Sequence, residues 1–134
     1  MRRAKTAEFI NQNRQIERLT ENQKSILNMY MEEVTCPAKT YLWEKNQLVT
    51  ACYIIKSGKF LMNAPCNNFS KDYSLCPGAF IGDFNSLLKD AQSKSALFVI
   101  EAATLFRISK ENFKNLVRIY PGFLIICKNN YIIR

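Results

Sequence analysis

The chain contains no histidine. This removes Ser-His-Asp and Cys-His nucleophile schemes, which need an imidazole to take the proton. Jelly-roll enzymes that hold a metal on imidazoles go with them. Five cysteines (Cys36, Cys52, Cys66, Cys76 and Cys127) make an odd number with no C-x-x-C spacing. A structural zinc needs four ligands at short spacings, so no metal is expected. Buried or half-buried free thiols in a reducing compartment are expected instead. No apolar run reaches the roughly 20 residues of a membrane span. No charged-then-apolar leader precedes the first polar segment, so a cytoplasmic location is expected. The 19 basic residues exceed the 11 acidic ones, for a net charge of +8. They are spread along the chain, and no run of Lys and Arg interleaved with aromatics stands out, so a solvated basic surface is expected rather than a nucleic-acid interface. The expectation is a chain that is not an enzyme and carries no cofactor.

What is present fits one domain. The 134 residues, 48% hydrophobic and 22% charged, suffice for one core. Residues 7–18 are polar with few apolar anchors and read as a first helix. Thr20-Glu21-Asn22-Gln23 fits a capping box, which starts a second helix at Thr20. Ile26, Leu27, Tyr30 and Met31 give that helix one apolar face. The period then changes. Val34-Thr35-Cys36 and Thr40 to Trp43 read as short strands separated by Pro37. Glu44 to Gln47 is a turn without glycine, where Asn46 takes the left-handed conformation. Thr50 to Lys56 is a strand, Ser57-Gly58 a hairpin turn, and Lys59 to Met62 the return strand. Ala64 to Lys71 is a polar loop, and Asp72 to Leu75 another strand. Ala96 to Ile100 and Thr104 to Ile108 read as the last two strands, paired with each other. Ser109 caps a helix whose face is Phe113, Leu116, Val117 and Tyr120, ended by Pro121-Gly122. Phe123 to Arg134 is expected to add a short helix. Many short strands between terminal helices predict a mainly β fold, a jelly-roll-type barrel.

One stretch carries the chemistry. In Cys76 to Ile108, Pro77-Gly78 makes a turn, and Gly82 allows close backbone approach because it lacks a Cβ. Asp83 opens a short segment, Phe84 to Leu88, long enough for one or two helical turns. A helix start after a glycine presents unpaired N–H donors to an anion. The pattern P-G-x-F-x-G-[DE], an L-L pair, a basic-polar cluster and an apolar strand resembles the phosphate-binding cassette of the cyclic-nucleotide-binding domain family. Y-I-I-K-S-G-K-F, with Gly58 at the turn, resembles the hairpin of the same family. The resemblance covers residues 14–123.

The resemblance implies a regulatory domain whose ligand is cAMP or cGMP. It implies partners that are other subunits or domains of a larger polypeptide. It divides the chain into a helical segment (1–33), a barrel (34–108) with the cassette at 77–96, and C-terminal helices (109–134). By the family pattern, Gly82 and Asp83 face the ribose and phosphate, with aspartate in place of glutamate. Asn85 and Ser86 offer amides at the helix start. Ser93 stands where the family has its phosphate-binding arginine, with Lys94 and Ser95 beside it. Each candidate has a structural alternative. Asp83 caps its own helix, Lys94 is a solvated charge, and the glycines only make turns. Trp43, Tyr53 and Phe60 read as core aromatics rather than a purine stack. Serine hydroxyls give about 1 kcal/mol per hydrogen bond against about 1.5–3 for a charged donor, so the missing arginine weakens a cyclic phosphate by about one to two decades. A module that binds no nucleotide and serves to dock proteins is the alternative function. Nucleic-acid binding in the manner of bacterial transcription factors lacks its recognition-helix domain.

Overall fold

The structure is a computed structural model that describes residues 20–75 and 77–123. The expected first helix at 7–18, the helix after Phe123, Cys76 and Cys127 lie outside the described residues. Helix α1 (Glu21–Tyr30) starts at Thr20, whose hydroxyl accepts from the Gln23 amide while the Gln23 side chain accepts from Thr20 N–H. The capping box is therefore complete. Strands β1 (Glu32–Cys36) and β2 (Thr40–Trp43) flank the Pro37 break. Asn46, at φ 72°, makes the left-handed turn that follows.

Two long strands then build the sheet. β3 runs from Ala51 to Cys66 and β6 from Ala96 to Ser109, antiparallel to each other. Between them lie β4 (Phe69–Leu75), β5 (Phe80–Ile81) and helix α2 (Phe84–Lys89). The first half of β3 pairs with β5 and with the second half of β6, which pairs with β1. The second half of β3 pairs with β4 and with the first half of β6, which pairs with β2. The result is two four-stranded halves, β1-β6-β3-β5 and β2-β6-β3-β4, that share both long strands. This is the predicted jelly-roll-type, mainly β architecture.

Three local expectations change. Ser57-Gly58 is a bend inside β3, not a hairpin turn, because the chain on both sides keeps the same partner, β6. The register shifts three times between Ile55 and Phe60. Gly58 sits there at φ 105°, and a Cβ on it would lie 2.4 Å from the Ala103 Cβ. Glycine is required because β3 presses on β6 at that point. Residues 96–100 and 104–108 are likewise one strand, bent opposite Gly58, and do not pair with each other. The polar stretch 64–71 is a hairpin rather than a loop. β3 and β4 continue to a two-residue turn at Asn67-Asn68, with Asn67 at φ 57°. Asparagine tolerates that conformation, which is how a polar segment closes a tight hairpin.

Residues of both halves enter one core, among them Ile54, Phe60, Met62, Leu97, Val99 and Phe106, none more than 1% exposed. Each such side chain contributes about 1.5–3 kcal/mol by leaving water. Helix α3 (Lys110–Ile119) starts at Ser109, whose hydroxyl accepts from the Asn112 amide. Its predicted face buries Phe113 and Leu116, with Val117 and Tyr120 half-buried. Phe113 stacks on Phe84 at 5.7 Å and meets Phe123 at 6.2 Å. The short helix α2 is thereby joined to α3. A second link joins its other end, where Lys110 Nζ donates to the carboxylate of Asp90, the left-handed C-cap of α2.

Candidate functional site

Pro77-Gly78 forms the expected turn, with Gly78 at φ 92° and its N–H donated to Ile55 O at 2.8 Å. Gly82 is buried, and its φ is not left-handed. A Cβ there would meet Leu87 Cδ1 at 3.2 Å and Cys52 Cα at 3.6 Å. Its role is to let the cassette backbone lie against β3 and α2. Asp83 is the N-cap of α2. Asparagine 85 occupies the first turn of that helix.

The Asp83 carboxylate is already engaged. Oδ1 accepts from Ser86 N–H at 3.0 Å. Oδ2 accepts from the Ser93 hydroxyl at 2.8 Å and lies 3.3 Å from the Ser95 hydroxyl. Ser93 Oγ also accepts from Ser95 N–H at 3.0 Å. A hydroxyl has one proton to give, and of the acceptors near Ser93 the carboxylate is the stronger. Ser95 Oγ in turn accepts from Trp43 Nε1 at 3.1 Å. A chain of hydrogen bonds thus runs from the core indole through two serines to the acid. A carboxylate offers about four lone-pair sites. Ser86, Ser93 and Ser95 account for three at most, so Asp83, which is half-buried, keeps one acceptor position on Oδ1.

The serines hold the surrounding loops as well. Ser93 N–H donates to Gln47 O at 2.8 Å, and Asn46 N–H donates to Ser93 O at 2.7 Å. Val49 N–H donates to Ser86 Oγ at 2.7 Å. Ser86, Ser93 and Ser95 are all buried, Ser95 being 2% exposed and the other two fully enclosed. Position 93, expected to face a phosphate, is therefore a fixed joint between the 44–49 turn and the cassette. Lys94 is exposed and has no ion pair among the described residues. The structure brings Asp83, Ser86, Ser93 and Ser95 together and leaves Lys94 outside that cluster.

Sequence reasoning missed the partners on the other strands. Trp43, Gln47 and Val49 reach the cassette only through the return of β2 into β3, and nothing in their local sequence marks them. Trp43 also stacks on Tyr53 at 6.3 Å. Burial raises the Tyr53 phenol above its usual range, against the opposing effect of the Arg107 guanidinium.

A cleft of about 580 Å³ lies beside the cassette on the other face of the second half-sheet. Tyr41, Glu44, Lys45, Leu61, Asn63, Ser70, Asp72, Ala96 and Phe98 line it. These side chains alternate with the core residues Phe60, Met62, Leu97 and Val99. Ala96 follows Ser95 directly, and Lys94 precedes Ala96 and Phe98 at the same two-residue spacing. None of the buried serines lines the cleft. Its polar members Asn63, Ser70 and Asp72 lie on the β3–β4 hairpin, and Glu44 and Lys45 follow β2. Among the described residues, no cluster of side chains suits a metal ion, and no helix is long and apolar enough to cross a membrane.

Fold and site together define a mainly β domain with a phosphate-cassette turn. The chain belongs to the cyclic nucleotide-binding domain family, whose model matches residues 33–120. A search of curated proteins finds no match. Solved structures share the fold at low identity. The regulatory subunit of a cAMP-independent protein kinase A from Trypanosoma cruzi, bound to guanosine, has a TM-score of 0.79 at 14% identity, covering 96% of this chain and 46% of that one. The regulatory domain of Toxoplasma gondii protein kinase A with cAMP has a TM-score of 0.69 at 18% identity, covering 91% and 50%. The Thermus thermophilus catabolite activator protein has a TM-score of 0.64 at 19% identity, covering 87% and 53%. The chain thus spans about half the length of each of these proteins.

Proposed function

We propose that this domain is a regulatory, non-catalytic module that takes cAMP or cGMP only weakly and passes its state to attached or partner proteins. The observation that carries this reading is the Asp83 carboxylate, bound by Ser86, Ser93 and Ser95, with serine where the family has a cation. A cyclic phosphate entering here meets a carboxylate and neutral hydroxyls. Each neutral donor is worth about 1 kcal/mol, and each is already paired. The remaining lone pair on Asp83 still suits a ribose hydroxyl. The route for output is the Phe84–Phe113 stack together with the Asp90–Lys110 pair. Both tie the cassette helix to α3, so a shift of one biases the other.

A second reading has its own support. An uncharged nucleoside needs no phosphate cation, the neighbour from Trypanosoma cruzi is bound to guanosine, and the 580 Å³ cleft lies within the range of small-ligand pockets. Titration calorimetry with cAMP, cGMP and guanosine tests both. The first reading predicts cyclic-nucleotide dissociation constants of about 10 μM or weaker. Tighter guanosine binding selects the second. No heat from any of the three at millimolar ligand leaves a docking module that has lost the messenger.

A further inference from the structure

We infer that Trp43 competes with the ligand from inside the domain: its indole fills the space against the cassette acid, and a nucleotide binds only as that ring leaves. The inference rests on the reading that a cyclic nucleotide enters at Asp83, and it adds what the ligand must displace. Trp43 ends β2 in the second half-sheet, opposite Leu97 of β6. Tyr53 belongs to the first half-sheet, opposite Ile81 of β5, two residues before Asp83. The two rings stack at 6.3 Å with 15° between their planes. The stack therefore bridges the two halves at the end that carries Asp83. Trp43 is 3% exposed, so the indole rather than water fills that space.

The indole N–H also closes the lattice around the acid. Nε1 donates to Ser95 Oγ at 3.1 Å, and Ser95 Oγ lies 3.3 Å from Asp83 Oδ2. Departure of the indole frees a lone pair on Ser95, in addition to the one free on Asp83 Oδ1. Both are acceptors, and a ribose hydroxyl donates to either. The backbone under Trp43 is suited to the movement. β2 is four residues long and, among the described residues, pairs with β6 alone. Its register shifts between Tyr41 and Trp43, so the end of the strand can turn without unzipping the sheet. The turn beyond it is tied to position 93 through Asn46 N–H to Ser93 O and Ser93 N–H to Gln47 O. Displacement of the indole is thereby coupled to the cassette. The fraction of molecules with the ring out scales the apparent affinity.

The test titrates the whole chain with cAMP and with cGMP, followed by calorimetry and by the emission of Trp43, the chain's one tryptophan. As the ligand saturates the native protein, the emission should move to longer wavelength and acrylamide should quench it more strongly. Trp43→Phe should bind the same nucleotide about three- to tenfold tighter, the worth of one neutral hydrogen bond. Trp43→Leu, which removes the stack as well, should gain about tenfold or more. Both variants should unfold at lower temperature than the native chain, and the melting curve also reports that each is folded. A tryptophan that only supports the core predicts the opposite sign, with affinity falling alongside stability. Variants that bind no tighter than native overturn the inference and leave the cyclic-nucleotide reading standing. Unchanged native emission at saturating ligand does the same, and decides the matter even where a variant fails to fold. No heat from the native chain or either variant at millimolar nucleotide overturns both.

Discussion

Replacing Ser93 with alanine should destabilise the protein, although the change removes one oxygen atom. The hydroxyl donates to the Asp83 carboxylate at 2.8 Å and accepts from the buried Ser95 N–H at 3.0 Å. Loss of a hydrogen bond to a charged group costs about 1.5–3 kcal/mol, and a stranded buried amide costs about 1–3. The two losses are coupled, and Asp83 is only half-buried, so water recovers part of the first. The expected loss is about 2–4 kcal/mol. Unfolding entropy of about 2.1 cal/mol/K per residue gives roughly 0.28 kcal/mol/K over 134 residues. The midpoint of thermal unfolding should therefore fall by about 7–14 °C. Thermal and urea denaturation followed by circular dichroism measure it, with Lys94→Ala as the exposed control, expected within about 0.5 kcal/mol of native. A Ser93→Ala variant as stable as that control would refute the account of position 93 as a structural joint.

Other consequences test the remaining parts of the structure. Gly58→Ala should cost about 2 kcal/mol or more, because φ 105° and the 2.4 Å approach to Ala103 leave no room for a methyl group. A neutral effect in urea denaturation would mean that the β3 bend is placed wrongly. The hydrogen bond and charge of Lys110 hold the Asp90 carboxyl below its usual range. A folded pKa below the unfolded one stabilises above the unfolded pKa and is lost as pH falls through the folded value. Lys110→Ala should therefore lower stability at pH 7 and show a smaller loss below about pH 4. A native-minus-variant difference that stays constant from pH 7 to pH 3 would contradict the pair. Burial pushes the Cys36 thiol up, so iodoacetamide at pH 8 should label it far more slowly in native protein than in urea. Equal labelling rates, read by mass spectrometry, would show the thiol to be accessible.

Where local chemistry decides the structure, it was legible in the sequence. Thr20 with Gln23, Ser109, Asn46 and Pro77-Gly78 act on their nearest neighbours, and each took its expected conformation. The α3 face at Phe113 and Leu116 was legible for the same reason, since helical period needs no partner strand. Gly58 was visible as a special position, but its role was not. A glycine in a strand marks either a turn or a bend, and which one depends on whether the pairing partner changes, a non-local fact. The polar composition of 64–71 concealed a hairpin because both its faces are partly solvated, so no apolar alternation marks it. In the cassette, the residue types were legible and their directions were not. Ser93 appeared as a phosphate donor until its backbone was found tied to Gln47 and Asn46, on another part of the fold.

The account turns on a cassette whose acid is satisfied from within and whose cation is missing. Competition of cAMP against a fluorescent cyclic-nucleotide analogue, at neutral pH on the native chain, measures this most directly. Half-displacement only at tens of micromolar cAMP or above is the predicted outcome. Displacement at submicromolar cAMP would contradict it, because the serine lattice around Asp83 would then have opened to receive the phosphate.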